Sequence, residues 1–132
     1  MSYIFYCNDK TEQESFQKGV FGNVYKHWNT VKKIMPGSPI FLINLNTGTL
    51  FGPFRSTGNP QLYLDPYVFM ESGRNYPAQV QVSWGRVMKI ERVFSKLIFL
   101  RKELRCRLKP SETVRVFMKL VEEHNSKIHA WA

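Results

Sequence analysis

Apolar and polar positions in the first third of the chain predict a buried sheet. Residues 2–7, S-Y-I-F-Y-C, are aromatic and β-branched, which is typical of a strand. Residues 39–45, P-I-F-L-I-N-L, are apolar on both faces and predict a central strand. A turn at residues 46–48 leads into a partner strand over residues 49–55, so these two segments form a predicted hairpin.

Two short helices are predicted between the first strand and the hairpin. Thr11 and Glu14 have the spacing of a capping box, which predicts a helix from Thr11 to Lys18. A left-handed glycine is expected to end this helix. A second short helix is predicted around residues 28–34, before a Pro-Gly breaker.

The second half of the chain begins with a long polar segment. Residues 56–76 are rich in Gly, Pro, Asn and Ser but carry several aromatic residues, so we expect a loop that forms part of a site. Residues 78–84 alternate between apolar and polar and predict a half-buried strand. A further strand is predicted over residues 87–93. Residues 96–108 fit either a strand or a helix, and the pattern does not decide between them.

A C-terminal helix completes the predicted fold. Ser111 is its expected N-cap, and the helix is expected to end near Asn125. Its apolar residues recur at helical spacing and are expected to dock on the sheet. They are Val114, Phe117, Met118 and Val121. All elements together predict one α+β domain over residues 1–132, a small curved, mostly antiparallel sheet or half-open barrel flanked by about three helices.

Charge is concentrated in one segment of the chain. The net charge is +9, and residues 74–109 contain ten Lys or Arg against two Glu. Local basicity of this kind is typical of a surface that binds a polyanion, although a solvated basic surface is the alternative. The expected phosphate contacts are Arg86, Lys89, Arg92, Lys96, Arg101 and Lys102.

Other classes of protein receive little support from the sequence. No apolar run is long enough to span a membrane, and the first ten residues lack a secretory pattern, so an intracellular, cytoplasmic protein is expected. Cys7 and Cys106 are expected to be free thiols more often than a disulfide. No nucleotide-binding or hydrolase motif and no zinc-ligand spacing occurs, so neither enzymatic activity nor a cofactor or metal is expected.

Several short strings occur in a recognisable order. They are Y-I-F-Y-C-N at residues 3–8, Phe21-Gly22, P-I-F-L at 39–42, L-F-G-P-F at 50–54 and Y-P-A-Q-V at 76–80. In order and spacing the chain resembles the development and cell death (DCD) domain over residues 3–100. The order of elements is more distantly similar to the YTH domain and to PUA-like domains. This resemblance implies a half-open barrel that binds RNA, often with a modified base held between aromatic rings.

The resemblance also implies where a base would bind. Asn8 and Asp9, after the first strand, would lie at the pocket, Phe21 would be one aromatic wall, and Tyr67 or Phe69 would supply another. The ordinary alternatives are a helix cap for the first two residues and core packing for Phe21.

Two kinds of partner follow from these patterns. A polyanion, most specifically RNA, fits the basic segment together with exposed aromatic residues, because bases stack on rings and cations hold phosphates. Core packing is favoured for Trp84, which lies in the alternating strand. The DCD resemblance supports the alternative of a protein-interaction module. A subunit role in a larger ribonucleoprotein is a third hypothesis.

Overall fold

The computed structural model describes residues 1–101 and 103–131. It contains eight strands and four α-helices within these residues, together with short 3-10 turns. The strands are β1 (Ser2–Cys7), β2 (Val20–Asn23), β3 (Pro39–Asn44), β4 (Thr49–Ser56), β5 (Gln61–Leu62), β6 (Ala78–Ser83), β7 (Met88–Ile90) and β8 (Arg107–Leu108). The helices are α1 (Asp9–Lys18), α2 (Trp28–Val31), α3 (Val93–Lys96) and α4 (Pro110–Trp131).

The strands form one mixed sheet that curls into a half-barrel, which confirms the predicted fold class. Its order is β2-β6-β4-β3-β1-β8, while β5 pairs with β6 and β7 pairs with β4. β1 and β3 are parallel, and the other pairs of neighbours are antiparallel. The parallel pair matters for function, because the carboxyl ends of both strands reach the same edge of the sheet.

The central strands are buried on both faces. Phe5 of β1 and Leu42 of β3 face one apolar cluster, which also contains Phe21 and Phe54. Their neighbours Ile4 and Phe41 face a second cluster beneath α3 and α4. Burial on both faces explains the nearly continuous apolar run in β3, since side chains alternate between the two faces of a strand. The predicted hairpin of β3 and β4 is confirmed.

The start of α1 differs from the prediction. Asn8 is the N-cap: its Oδ1 accepts from the backbone N–H groups of Lys10 at 2.9 Å and Thr11 at 3.0 Å. Thr11 is the third helical residue, and its Oγ1 accepts from the Asn8 N–H at 3.1 Å. The capping box is formed by Asn8 and Thr11, so the predicted one of Thr11 and Glu14 was wrong and lay three residues too far along the chain. An asparagine caps a helix as well as a threonine does, and Asn8 comes first in the chain.

The segment between β6 and α4 has more short elements than the sequence predicted. The predicted strand over residues 87–93 ends at Ile90, and α3 begins at Val93, so the strand prediction was too long. In the ambiguous segment, a 3-10 turn at Ile98–Leu100 precedes the short strand β8. Buried Val93, Leu97 and Leu100 anchor this segment to the second cluster.

Helix α4 docks on a different stripe from the predicted one. Val116 and Leu120 are completely buried, whereas Val114, Met118 and Val121 are exposed and Phe117 is half-buried. Thr113 Oγ1 lies 2.7 Å from Ser2 Oγ, so small side chains bring the helix close to β1 and fix its rotation. The helix starts one residue before Ser111 and continues to Trp131, past the predicted end at Asn125.

The segment 56–76 is folded onto the domain rather than projecting from it. β5 pairs with β6, and Val68 and Phe69 are buried with Val20 in a third apolar cluster. Glu14 of α1 accepts a hydrogen bond from the Phe69 N–H at 2.9 Å through Oε2. Phe69 has φ = +66°, a left-handed conformation that a bulky side chain adopts only when its surroundings enforce it.

Candidate nucleic-acid interface

An open cleft lies at the edge where β1 and β3 end, and we call it the β1-edge cleft. Its volume is about 410 Å³, within the usual range of ligand sites. Asn8 and Leu45 follow the two parallel strands directly, and the loop residues Arg74 and Tyr76 also line the cleft. The remaining lining residues are Tyr6, Cys7, Gly22, Asn23, Val24, Lys26, His27, Leu104 and Cys106.

A small inner pocket adjoins this cleft and shares Tyr6, Gly22 and Tyr76 with it. Phe21 and Phe69 line its interior. Its volume is about 10 Å³, enough for about one water molecule. A nucleobase would enter it only if the rings of Phe69 and Tyr76 moved apart; at present they pack edge to face with centroids 5.7 Å apart.

The predicted pocket residues Asn8 and Asp9 both have structural partners. Asn8 caps α1 through Oδ1, and its Nδ2 has no hydrogen-bond partner within the described residues. Asn8 is also one of the residues that line the β1-edge cleft. Asp9 accepts from Asn44 Nδ2 at 3.1 Å, and its N–H donates to Asn46 Oδ1 at 2.8 Å. These bonds tie α1 to the β3–β4 turn. Asn8 thus keeps a free donor at the site, while Asp9 is engaged beside it.

The predicted aromatic residues fall in different places. Phe21 is completely buried and packs on Phe5 and Phe54, with ring centroids 5.9 and 4.8 Å apart, so its ring belongs to the core as well as to the inner pocket. Phe69 faces it across that pocket. Tyr67 is 76% exposed and lies against the outer side of α1, so the structure does not bring it to either space.

The predicted phosphate contacts divide into two groups. Lys89 pairs with Glu91 at 3.4 Å, Lys96 pairs with Glu123, and Arg86 Nη1 lies 3.3 Å from His124 Nε2. This group lies near β7 and α4.

Arg92 and Arg101 form the second group. Arg92 is exposed and precedes Val93, whose N–H donates to Gly48 O in the β3–β4 turn. Arg101 is exposed three residues before Leu104, which lines the cleft. Neither arginine has an ion-pair partner within the described residues. Lys102, the remaining predicted contact, lies outside the described residues.

Trp84 is neither fully buried nor free. It is 39% exposed, and its ring packs edgewise on Phe16 and Phe54 with centroids 5.8 and 5.5 Å apart. Trp84 therefore packs on the core through part of its ring, as the sequence predicted, while the rest of the side chain is exposed.

Burial shifts both thiols of the chain towards their protonated forms. Burial raises the pKa of the Cys7 thiol to about 12, so it stays protonated near neutral pH. Burial likewise raises the pKa of Cys106, which receives a hydrogen bond from Asn23 Nδ2 at 3.4 Å. Both thiols are free.

Two further observations concern the described residues as a whole. No three His, Cys, Asp or Glu side chains among them are grouped so as to hold a metal ion. None of the helices within residues 1–101 and 103–131 combines the length and apolar composition that a bilayer-crossing helix requires.

Three lining residues of the β1-edge cleft that could contact a ligand were not among the predicted site residues. Lys26 and Arg74 are exposed cations, and Tyr76 is a half-buried aromatic residue. Lys26 lies in a segment of ordinary charge, and Arg74 was counted only as part of the basic segment. Tyr76 was noted as a loop aromatic, and its position next to Pro77, at the return into β6, was the signal that could have distinguished it.

Solved structures share this architecture. The YTH domain of mmi1, solved with RNA, superposes with a TM-score of 0.69 over 97% of this chain and 85% of that chain, at 10% identity. The YTH domain of Zygosaccharomyces rouxii MRB1, solved with N6-methyladenosine RNA, gives 0.59 over 90% and 86%, at 16% identity. The protein therefore has the fold of YTH domains.

The family is defined by sequence. The chain matches the development and cell death domain profile over residues 1–115, and it belongs to that family. DCD domain-containing protein NRP-A of Glycine max is 37% identical over 89 residues, 64% of this chain and 24% of that protein. B2 protein of Daucus carota is 34% identical over 89 residues, 64% of this chain and 43% of its own length. The resemblance found in the sequence is confirmed, and the chain spans less than half of these curated relatives.

Proposed function

We propose that this domain is a non-catalytic module that binds single-stranded RNA in the β1-edge cleft. One observation carries the proposal: the cleft joins a ring (Tyr76), an unpaired amide donor (Asn8 Nδ2) and two exposed cations (Lys26 and Arg74). A base stacks on a ring, an amide reads its edge and cations hold the phosphates. The RNA complexes of YTH domains with the same fold support the proposal.

The strand is proposed to leave the cleft along the rim of the sheet. Asp9 and Asn46 connect the cleft to the β3–β4 turn, and Val93 connects that turn to Arg92. Arg92 would therefore meet a phosphate beyond the base site, and Arg101 would meet one near Leu104. The paired cations Arg86, Lys89 and Lys96 would add to the positive field at longer range.

A base is proposed to stack first on Tyr76, at the mouth of the inner pocket. Deeper entry, for a modified or an unmodified base, requires Phe69 to move. The hydrogen bond from Phe69 N–H to Glu14 and the burial of the ring oppose that movement. The cleft alone is large enough for a base in the present arrangement.

The test is RNA binding by cleft variants. Fluorescence anisotropy with labelled eight-nucleotide RNA measures affinity over a range of salt concentrations. For the double variant Lys26→Ala/Arg74→Ala we expect weaker binding and a slope of log affinity against log salt that is smaller by about 1.4, since each single-strand phosphate contact contributes ~0.7. Tyr76→Leu should weaken binding by ~1–3 kcal/mol with the salt slope unchanged, because it removes stacking alone.

The matched control removes the same number of positive charges from a surface outside the cleft. Lys32→Ala/Lys33→Ala removes two exposed cations beside α2, outside the cleft. We expect only a small loss of affinity, shared by all RNA sequences. Absence of binding by the unchanged protein, or equal losses in the cleft pair and the control pair, would refute the proposal.

A further inference from the structure

A second concave surface lies on the other side of α1, and we call it the α1–α4 groove. Its volume is about 300 Å³. Phe16 of α1, Phe51 of β4, and Val87 and Met88 beside β7 form an apolar floor. Lys89, His124 and Lys127 form its rim. The β1-edge cleft and its inner pocket contact α1 through Asn8, Thr11 and Ser15 instead, so the helix separates the two spaces.

Two of the rim residues come from α4, where one face changes from apolar to polar side chains. Val116, Leu120, His124 and Lys127 follow one another at spacings of four, four and three residues, which places them on the same face. The first two are buried in the core. The last two overhang the apolar floor of the groove. A lysine there covers apolar surface with its stem and keeps its ammonium group at the edge.

Several cations converge on this rim. The pKa of Glu91 is lowered first by the hydrogen bond from Lys89 and further by the charges of Lys127 and Lys96. The Lys89–Glu91 pair is exposed on both sides, so it exchanges easily for another carboxylate. Lys127 has no ion pair within the described residues. The groove thus offers ammonium groups next to an apolar floor.

We propose that the α1–α4 groove binds a short peptide segment in which an apolar side chain is flanked by carboxylates. The floor is complementary to a leucine or phenylalanine side chain, and the ammonium groups of Lys89 and Lys127 are complementary to the carboxylates. Met88 gives the floor an adaptable surface. A nucleobase fits less well, because the two rings of the floor, Phe16 and Phe51, already pack edge to face on each other with centroids 5.5 Å apart, and Val87 and Met88 add no flat ring for stacking. This proposal does not depend on RNA binding in the cleft.

The experiment uses the whole chain and a fluorescein-labelled hexapeptide, Leu-Phe flanked on each side by two acidic residues. We expect saturable binding by anisotropy that weakens about fivefold or more in Lys89→Ala/Lys127→Ala, because both carboxylate contacts are lost. The cleft variant Lys26→Ala/Arg74→Ala and the pair Lys32→Ala/Lys33→Ala should bind the hexapeptide as the unchanged protein does. Unaltered circular dichroism and melting temperature check that the variants are folded.

Two matched peptides separate the apolar contact from charge alone. Replacing Leu-Phe by Ala-Ala should weaken binding at least as much as the groove variant does, and replacing the acids by lysine should abolish it. The proposal is overturned if the Ala-Ala peptide binds as well as the original, or if the unchanged protein binds neither. It is also overturned if the groove variant loses affinity for the labelled RNA while the cleft variant does not, since that result would assign the groove to nucleic acid.

Discussion

Gly22 shows how one residue shapes the site. A Cβ atom at this position would lie 2.9 Å from Tyr76 O, closer than real Cβ atoms approach, and 3.0 Å from Phe69 Cε2, which is tighter than most Cβ contacts. The glycine therefore allows the loop that carries these two rings to close over β2. Because the backbone oxygen cannot turn away as a flexible side chain can, a larger residue must push the loop outward.

We expect Gly22→Ala to destabilise the protein by ~1–3 kcal/mol through overpacking. Urea unfolding followed by circular dichroism measures the change. Gly58→Ala is the control, since a Cβ there meets nothing within 4 Å and its φ is not left-handed. It should stay within about 0.5 kcal/mol of the unchanged protein. Similar stabilities for the two variants would contradict the close packing of the loop.

Glu112 is the residue that should make stability depend on acid. Hydrogen bonds from Arg105, and a weaker one from the Lys109 N–H, hold the pKa of Glu112 at about 2, against an ordinary value of 4.5. A carboxyl whose pKa is lower in the folded state stabilises the protein when it is ionised. Its contribution is complete above about pH 4.5 and is lost as the pH falls towards about 2.

We therefore expect Glu112→Gln to lower stability at neutral pH and to make it less sensitive to pH between about 4.5 and 2. Urea midpoints measured at several pH values for both proteins give the comparison. Glu122→Gln is the matched control, because Glu122 is exposed and Lys119 is its one ion-pair partner among the described residues. A difference between Glu112→Gln and the unchanged protein that is constant down to pH 2 would show that the pair with Arg105 does not cause it.

At the scale of the element, α4 has two apolar stripes and uses the less conspicuous one. Leu120→Ala should cost ~2–5 kcal/mol, because it leaves a cavity in the second cluster. Met118→Ala should change stability by less than about 0.5 kcal/mol, because Met118 is exposed. Urea unfolding of the two variants decides between the stripes. A larger loss of stability for Met118→Ala would instead support docking through the stripe that the sequence predicted.

At the scale of the whole molecule, the basic charge is shared between two surfaces. The sequence grouped the cations from Arg86 to Lys102 as one set because they are close in the chain. In the fold, Arg92 adjoins the β3–β4 turn through the Val93–Gly48 hydrogen bond, while Lys89 lies in the α1–α4 groove. Lys26 joins the cleft from a distant part of the sequence. Proximity along the chain therefore did not predict which cations act together.

The sequence by itself determined the strands with strong patterns, the curled sheet and the family. β1 and β3 are correctly predicted because side chains that are buried on both faces leave a nearly continuous apolar run, and β4 because a turn leads from β3 into it. Asn8 was expected beside the site because it follows β1 directly, and in the fold it lines the β1-edge cleft. These features depend on residues that are neighbours in the chain, and local preference is enough to predict them.

Only the tertiary structure decided the rotation of α4, the position of Tyr67 outside the pocket and the composition of the cleft. Each depends on contacts between distant segments: Ser2 with Thr113 for the helix, and Glu14 with Phe69 for the loop. Such contacts form wherever side chains of suitable size and polarity meet. The hydrophobicity of a single segment does not predict which of these contacts form, because it is the same whichever face of the segment the rest of the chain covers.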